Sequence, residues 1–271
     1  MLRNYLQNFL IHYKLYKELD MTISVVLLEY HSINEISLAV DAIRKYDKEC
    51  EIVVSSNSLY NVEEQNKAKE AVPNVKWTFN KENGGFGYGM SMGAKVATGE
   101  YVVFLNSDVL LQSDFSSMIA YMEEHKNVGL IAPELVDENG NVQDSYRKTI
   151  TPWNFFWRHL ERFMRVRHDL KKTEPIVVDW VIGAFMLTKK EYFDMVGGFD
   201  YKTYFMYVED MDLCHELKLK RRDTVYYPLV AAQYVGTRAA RSNKKYTKIF
   251  LYSLFGYWKK NLFRRNKKHN I

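Results

Sequence analysis

The chain of 271 residues contains 47% hydrophobic and 26% charged residues, which is typical of one large or two small globular domains and excludes a disordered or fibrous chain. Its two cysteines are far apart and lack CxxC spacing, so neither a disulfide framework nor a cysteine zinc site is expected, and a reducing cytosol fits. The net charge of +5 hides an asymmetry: the first 223 residues hold all 33 acidic residues but only 27 basic ones, and 11 basic residues follow. An acidic body with a basic tail favours an anionic partner, such as phosphates, nucleic acid or an anionic membrane surface.

Residues 1–20 carry apolar side chains at helical spacing, which predicts an amphipathic helix. Such a helix would pack on the body or on a second subunit of a homodimer, and the alternative is an interfacial membrane helix. The segment lacks the architecture of a signal peptide, and no run of 18 apolar residues occurs, so no membrane-spanning helix is expected. Residues 21–242 are predicted to form the main domain and residues 243–271 a basic, aromatic terminal helix.

The first half of the chain alternates between short β-branched runs and stretches of helical periodicity. Strands are predicted at residues 22–29, 51–55, 75–79 and 100–105, and helices at residues 32–46, 62–71 and from the glycine-rich stretch to about residue 97. This alternation implies a parallel sheet with right-handed crossovers. The second half is less regular. Its predicted elements are strands at 129–135, 143–147 and 224–227, a strand and turn at 176–188, a helix or mobile loop at 151–169, and helices at 189–195, 210–220 and 243–263.

Two sequence features follow predicted strands. Residues Asn83–Gly89 come after the third strand but have neither GxGxxG spacing nor the GK[ST] of a Walker A loop, so dinucleotide and P-loop sites are disfavoured. The glycines permit close approach to a ligand, and the plainer alternative is a tight turn before a helix. Asn106-Ser107-Asp108 ends the fourth strand, where a carboxylate can hold a divalent cation on diphosphate oxygens, although a lone Asp there is more often a cap or turn residue.

A third feature is the segment Gly197–Cys214. It combines a glycine turn, a run of aromatic residues and the acids Glu209, Asp210 and Asp212 at a predicted helix start. Acids at this position can simply compensate the helix dipole. Their combination with the aromatic block is unusual for a plain surface and favours a functional site. The seven histidines have no HxxxH or HExxH spacing, so no zinc site is expected.

These motifs occur in the order and at about the spacing of the inverting family 2 glycosyltransferases, which have a GT-A fold. The chain resembles that family over roughly residues 22–260, at Val26–Asn34, Asn83–Gly93, Leu105–Asp108, Val178–Leu187 and Gly197–Cys214. The stretch VDWVIGAFML…GGFD…YFMYVEDMDLC is most similar to the dTDP-L-rhamnosyltransferases of bacterial O-antigen and cell-wall polysaccharide assembly. The resemblance implies an α/β protein with a mostly parallel central sheet flanked by helices.

The resemblance also implies roles for individual residues. Asp210 is the implied catalytic base, with Glu209 beside it, and Asp108 is the implied ligand of a Mg²⁺ or Mn²⁺ ion and of the donor diphosphate. The implied acceptor side consists of Trp180, Gly183 and Asp212. The other implied donor contacts are Ser56, Asn57, Asn83, Gly84, Gly85, Phe86, Gly87 and Asn106. Arg238 and Arg241 suit the donor diphosphate, because guanidinium groups pair bidentately with phosphate, and the alternative is a solvated basic face. An inverting transfer needs one base for the acceptor hydroxyl, and the departing nucleoside diphosphate needs a cation or arginines.

The sequence departs from the family pattern at several positions. Asn106 replaces the first Asp of the DXD-type motif, and Ser56 replaces the Asp of the usual Asp-Asn pair, which contacts the nucleobase. The first strand ends Glu29-Tyr30-His31-Ser32 instead of the common Thr-Tyr-Asn, and no His lies near Gln233-Tyr234, where the family often has a metal ligand. With Asp108 as the only carboxylate, the diphosphate must supply much of the coordination, and a weakly held ion is expected.

Three function classes fit parts of the sequence. The first is a transferase that moves L-rhamnose from dTDP-β-L-rhamnose, or a hexose from a UDP-hexose, to a lipid-linked or polysaccharide acceptor. It would work at the cytoplasmic face of the cell membrane, where the basic aromatic tail meets headgroups. The second is a nucleic-acid-binding protein, which the acidic body and the lack of a recognised motif disfavour. The third is an inactive assembly partner, which the retained Asp108, Asp210 and Asp212 disfavour. The sequence favours the rhamnosyltransferase.

Overall fold

The computed structural model describes residues 21–153, 155, 171–234, 236 and 244–268, with side chains of the last segment described up to residue 261. The predicted helix over residues 1–20 and most of the segment 151–169 lie outside this part of the chain. The strands are β1 (Ile23–Glu29), β2 (Glu51–Ser56), β3 (Lys76–Phe79), β4 (Tyr101–Leu105), β5 (Val109–Leu111), β6 (Val128–Val136), β7 (Tyr146–Arg147), β8 (Ile176–Val178), β9 (Trp180–Val181), β10 (Phe185–Lys189) and β11 (Asp223–Tyr234). The helices are α1 (Ile33–Tyr46), α2 (Val62–Ala71), α3 (Phe86–Val96), α4 (Ser116–Glu124), α5 (Lys190–Met195), α6 (Glu209–Leu219) and α7 (Lys244–Lys268).

Among the described residues, nine strands form one central sheet in the order β3-β2-β1-β4-β10-β6-β11-β5, and β8 also pairs with β11, nearer its start than β5 does. Strands β3, β2, β1 and β4 are parallel, as are β6 and β11. Strand β10 lies between β4 and β6 and runs antiparallel to both, and β5 and β8 run antiparallel to β11. Strands β7 and β9 form a separate antiparallel pair.

The sheet buries both faces because each strand alternates its apolar side chains between two layers of helices. Val25 and Leu27 of β1 pack with α1 and α4 on one face, through residues such as Ile36 and Met118. The intervening Val26 packs on the other face, in the core formed with α3, α6 and α7. The α3, α6 and α7 face carries the predicted site residues at its edge, where the parallel strands end.

Most elements predicted from periodicity are confirmed to within one or two residues. Among the described residues the sheet is mostly parallel, as predicted, since six of its nine strands run in one direction and only β10, β5 and β8 run in the opposite one. The predicted strand at 224–227 is wrong in length, since β11 runs to Tyr234, and the predicted strand at 143–147 shrinks to the two residues of β7. The end of β11 was missed because the strand contains a bulge between Tyr227 and Ala231, and the bulge interrupts the alternation of inward and outward side chains.

In the described part of the chain, helices are too short or too polar to cross a bilayer.

Candidate active site

The carboxyl end of β1 holds a fully buried carboxylate, Glu29. Its Oε2 accepts hydrogen bonds from the hydroxyls of Ser56 (2.5 Å) and Ser58 (2.8 Å). Its Oε1 accepts from the Tyr60 hydroxyl and the Ser32 backbone N–H, each at 3.0 Å. Four donors therefore stabilise the buried carboxylate, and they fix the loops after β1 and β2 against each other.

Asn57 connects this cluster to the glycine-rich stretch. Its Nδ2 donates to the Gly85 carbonyl (3.0 Å) and to Asn83 Oδ1 (3.3 Å), while its Oδ1 accepts from Asn80 Nδ2 (2.8 Å). Asn83 Oδ1 also accepts from the Gly85 N–H (3.1 Å). The ends of three neighbouring parallel strands and the start of α3 thus form one polar network, at the sheet edge where open α/β folds bind ligands.

The glycines Gly85 and Gly87 allow α3 to begin in close contact with the segment that precedes α6, whereas Gly84 makes room for the Tyr88 side chain of α3 itself. Gly85 has a φ of +88°, and a Cβ there would lie 1.6 Å from the Phe205 carbonyl oxygen. That oxygen accepts a hydrogen bond from the Phe86 N–H (3.2 Å). A Cβ on Gly87 would lie 3.0 Å from Phe199 Cβ. The glycine-rich stretch is therefore packed directly against the acidic segment.

Helix α6 begins after two residues in the left-handed region, Tyr207 (φ +68°) and Val208 (φ +73°). Neither is glycine, so the turn is strained and is held by its surroundings. The strained turn places Glu209 and Asp210 in the first helical turn, where the helix dipole favours negative charge.

The carboxylate of Asp210 is held by the backbone of a neighbouring loop. Its Oδ2 accepts from the Gly183 N–H at 2.9 Å. A Cβ on Gly183 would lie 3.4 Å from Asp210 Cβ and 3.3 Å from the Phe86 ring, so only a glycine fits comfortably between them. Burial raises the pKa of Asp210, and the backbone N–H groups and the charge of Arg147 oppose that shift. Asp210 is the less buried of the two adjacent acids.

Glu209 lies beneath α3, where its exposed fraction is 4%. A Cβ on Gly87 would be 3.6 Å from Glu209 Cβ. Within the described residues, its Oε2 has no hydrogen-bond partner. Burial, followed by the charge of Asp210, raises the pKa of Glu209 to about 8, so the side chain is mostly neutral at pH 7. The two adjacent acids thus differ in environment, since Glu209 is buried beneath α3 and Asp210 is held by the Gly183 N–H. The catalytic role of Glu209 beside Asp210 stays a prediction.

The short β7 and β9 pair places Arg147 opposite Trp180. The Arg147 guanidinium lies 5.5 Å from the centre of the Trp180 ring and donates to both carboxylate oxygens of Asp144, at 2.9 and 3.3 Å. Trp180 is buried and donates its indole N–H to the Lys148 carbonyl (2.9 Å). Arg147 thus covers Trp180 on the predicted acceptor side, and its charge acts on Asp210.

Asn106 and Asp108 lie next to the loop that holds Asp210. The Asn106 N–H donates to the Ala184 carbonyl (2.9 Å), one residue from Gly183. Burial raises the pKa of Asp108, with a smaller contribution from the charge of Glu35. Among the described residues, no group of three His, Cys, Asp or Glu side chains is arranged to hold a metal ion. A single carboxylate fits an ion that arrives with a diphosphate, because Mg²⁺ is commonly held by one or two carboxylates plus phosphate oxygens.

Asp212 faces helix α7. Its Oδ2 lies 2.7 Å from Lys260 Nζ of α7, and its Oδ1 accepts from the Tyr204 hydroxyl at 3.3 Å. Lys260 also reaches Asp200 (3.0 Å) and Glu216 (3.2 Å). Burial raises the pKa of Asp212 to about 6 although the Lys260 charge opposes the shift. Asp212 is thus held by contacts within the protein, and its acceptor role stays a prediction.

The structure brings most predicted site residues to one edge of the sheet. The exceptions are Arg238 and Arg241, which lie outside the described residues, and Asp212, which faces α7. Sequence reasoning missed three contributors: Glu29, Arg147 and Lys260. For Glu29 a signal existed, since a carboxylate ends an apolar strand, whereas Arg147 and Lys260 acquire their positions from contacts between distant segments.

The model of glycosyl transferase family 2 matches residues 24–197. Among curated proteins, rhamnosyltransferase WbbL of Escherichia coli (strain K12) is 31% identical over 149 residues, covering 54% of this chain and 56% of its own. The N-acetylglucosaminyl-diphospho-decaprenol L-rhamnosyltransferase of Mycobacterium tuberculosis (strain CDC 1551 / Oshkosh) is 26% identical over 141 residues. The match covers 48% of this chain and 45% of that protein. The chain thus spans about half the length of the curated relatives it matches.

Solved structures support the fold. The chain is similar to GalNAc-T7 with UDP, GalNAc and Mn²⁺, with a TM-score of 0.60 and 16% identity over 79% of this chain and 43% of that one. It is also similar to the mannosyltransferase PcManGT from Pyrobaculum calidifontis in complex with GDP-Man and Mn²⁺. The TM-score is 0.55 and the identity 16%, and the match covers 86% of this chain and 66% of that one. At this identity the likeness concerns the fold alone, and it confirms the predicted α/β fold class.

Proposed function

The chain belongs to glycosyl transferase family 2, and from this premise we propose that it transfers L-rhamnose from dTDP-β-L-rhamnose, with inversion, to a hydroxyl of a lipid-linked saccharide or growing polysaccharide. The rhamnosyl donor is supported by two curated relatives that are named rhamnosyltransferases. The lipid-linked acceptor is supported by the name of the second, whose acceptor is a saccharide on a lipid diphosphate. The reaction would take place at the cytoplasmic face of the cell membrane.

The observation that carries the mechanism is the Gly183 N–H that holds the Asp210 carboxylate against the glycine-rich stretch. In this position Asp210 serves as the base. It takes the proton of the acceptor hydroxyl as the hydroxyl oxygen bonds to the anomeric carbon of the donor. The bond from that carbon to the diphosphate oxygen breaks, the nucleoside diphosphate leaves, and the configuration is inverted. The raised pKa of Asp210 makes its carboxylate a stronger base than an exposed aspartate.

The donor would lie over the strand ends, between the Glu29 and Asn57 network and the start of α3. Asp108, with Asn106 beside it, would hold a divalent cation together with the donor diphosphate. When bound, the ion would neutralise the charge that grows on the leaving group. Metal use is also supported by two structural neighbours that were solved with Mn²⁺.

The base assignment is tested with Asp210→Asn. This variant should bind dTDP-rhamnose with nearly unchanged affinity in calorimetry but lose transfer by roughly a thousandfold, because the amide cannot accept the proton. Asp41→Asn, changed at an exposed position on α1, is the matched control. Unchanged turnover in Asp210→Asn would rule out Asp210 as the base.

The donor assignment is tested by calorimetry of the unmodified protein with dTDP-rhamnose, UDP-glucose and UDP-galactose, with and without Mg²⁺ or Mn²⁺. We expect selective binding of dTDP-rhamnose, with a higher affinity when the ion is present. The Asp108→Asn variant should lose this ion-dependent gain in affinity. Selective binding of a UDP-sugar would overturn the donor. Binding of none, with or without acceptor, would favour an inactive assembly partner.

A further inference from the structure

Helix α7 is anchored to the active-site half of the protein by one face. The Ser253 hydroxyl donates to the Met206 carbonyl (2.9 Å), the Tyr257 hydroxyl contacts His215 Nδ1 (2.7 Å), and the Trp258 indole N–H donates to the Ile150 carbonyl (2.7 Å). Leu254 is completely buried on the same face. Tyr257 and Trp258, two aromatic residues of the predicted terminal helix, therefore pack against the rest of the protein.

The opposite face of α7 carries a large apolar surface. Leu251, Tyr252 and Phe255 have exposed fractions of 46%, 77% and 64%. Lys248 and Lys259 are exposed at positions three residues before Leu251 and four residues after Phe255. This spacing puts all five side chains on one helical face, which we call the outer stripe. An exposed apolar patch with a polar rim commonly marks a binding surface.

We propose that the outer stripe docks the protein on an anionic lipid surface. The apolar residues would enter the boundary between headgroups and acyl chains, and the lysines would meet lipid phosphates. Charge complementarity supports this partner, because residues 244–268 contain no acidic residue and Lys244 is exposed near the start of the helix. The inference rests on the proposed function in one respect, which is that a lipid-linked acceptor would lie in the same membrane surface that the outer stripe binds.

The charges argue against the other possible occupants. In a symmetric dimer the same patch would face itself, so Lys248 and Lys259 of two copies would be brought together without acidic partners. A nucleic acid is disfavoured because the first 223 residues hold 33 acidic and 27 basic residues, which would repel a long polyanion. A lipid surface contacts the stripe alone.

The test is co-sedimentation of the full chain with vesicles of phosphatidylcholine containing phosphatidylglycerol, compared with phosphatidylcholine alone. The variant Leu251→Ser/Tyr252→Ser/Phe255→Ser should bind the anionic vesicles at least about tenfold more weakly than the unmodified chain. Lys248→Gln/Lys259→Gln should lose roughly fivefold for each lysine on anionic vesicles only. Leu38→Ser/Val62→Ser is the matched control, because these apolar residues are equally exposed elsewhere.

The outcomes separate docking from catalysis. The triple serine variant should retain its urea midpoint and its transfer to a short water-soluble acceptor, since the outer stripe lies away from Asp210. Vesicle binding equal to that of the unmodified chain would overturn the proposal. So would a dimer in sedimentation velocity that the triple variant dissociates. If the unmodified chain binds vesicles but transfers no sugar, and only the stripe variants lose vesicle binding, the proposed function is refuted. The docking surface is then still supported.

Discussion

Lys260 Nζ lies 2.7 Å from Asp212 Oδ2, and this contact joins the C-terminal helix to the helix that carries Asp210. Asp212 is 3% exposed at its side chain and Lys260 is 24% exposed, so the pair is largely shielded from water. Burial alone would lower the pKa of Lys260, but Asp212 and Asp200 raise it above its usual value. The lysine therefore remains charged and neutralises a cluster of acids that would otherwise repel one another.

Removing this cation should destabilise the fold. Lys260→Met leaves Asp212, Asp200 and Glu216 without their shared partner, and we expect a loss of about 2 kcal/mol in unfolding free energy at pH 7.5. The loss should be smaller at pH 5, because the pKa of Asp212 is about 6 and its carboxyl is then mostly neutral. Urea titrations at both pH values measure this difference, with Lys259→Met, altered at the exposed neighbouring position, as the control. An equal loss at both pH values would contradict the role of Asp212.

Glu209 should make stability depend on pH. Its pKa is about 8 in the folded protein against 4.5 in an unfolded chain, so the folded state holds the extra proton and wild-type stability falls as pH rises between these values. Glu209→Gln is neutral throughout and should gain stability relative to wild type from pH 5 to pH 8, at a rate approaching about 1.4 kcal/mol per pH unit. Urea unfolding at several pH values measures it, with the exposed Glu63→Gln as the matched variant. Parallel pH curves for Glu209→Gln and wild type would refute the buried neutral acid.

Gly85 should tolerate no side chain. Its φ is +88° and a Cβ would collide with the Phe205 carbonyl oxygen at 1.6 Å, so Gly85→Ala must displace either the start of α3 or the segment before α6. We expect a loss of at least about 3 kcal/mol and weakened donor binding. Gly140→Ala isolates the backbone cost, because its φ is +77° but no atom lies within 4 Å of the added Cβ, and it should lose only about 1 kcal/mol. Thermal unfolding measures both losses. If Gly85→Ala and Gly140→Ala lose similar amounts of stability, the close contact between Gly85 and Phe205 contributes nothing to the cost.

Glu29 should matter for donor binding more than for the chemical step. Glu29→Ala removes the acceptor of four hydrogen bonds and should cost about 3 kcal/mol of stability. The loop after β2 would loosen, so the KM for the donor should rise, while kcat should change little because Asp210 is held by other groups. Steady-state kinetics resolve the two parameters, and Glu70→Ala, altered at an exposed site on α2, is the control. A fall in kcat with an unchanged KM would contradict this role.

Local patterns predicted the first half of the fold well, because β1 to β4 and their helices each carry a complete hydrophobic period. They also located the glycine-rich stretch and the acids at the start of α6. The antiparallel insertion of β10 was not predictable from periodicity, since it depends on pairing between Phe185 and Leu105, which are distant in sequence. The charge pattern assigns Lys260 to a basic tail that would bind an anionic partner, yet Lys260 contacts acids of the same chain. Charge composition cannot distinguish these cases, because it contains no information on distance.

The position of β10 has a consequence for the chain as it leaves the ribosome. Strand β4 is completely buried, yet the strand that covers its outer edge is synthesised about 80 residues later. Until then, β1 to β4 present the sequence Tyr101–Leu105 as an apolar edge with unpaired backbone groups, which is the arrangement that recruits strands from other molecules. The nascent protein should therefore depend on chaperones during that interval, and translation pauses between residues 105 and 185 should increase its aggregation.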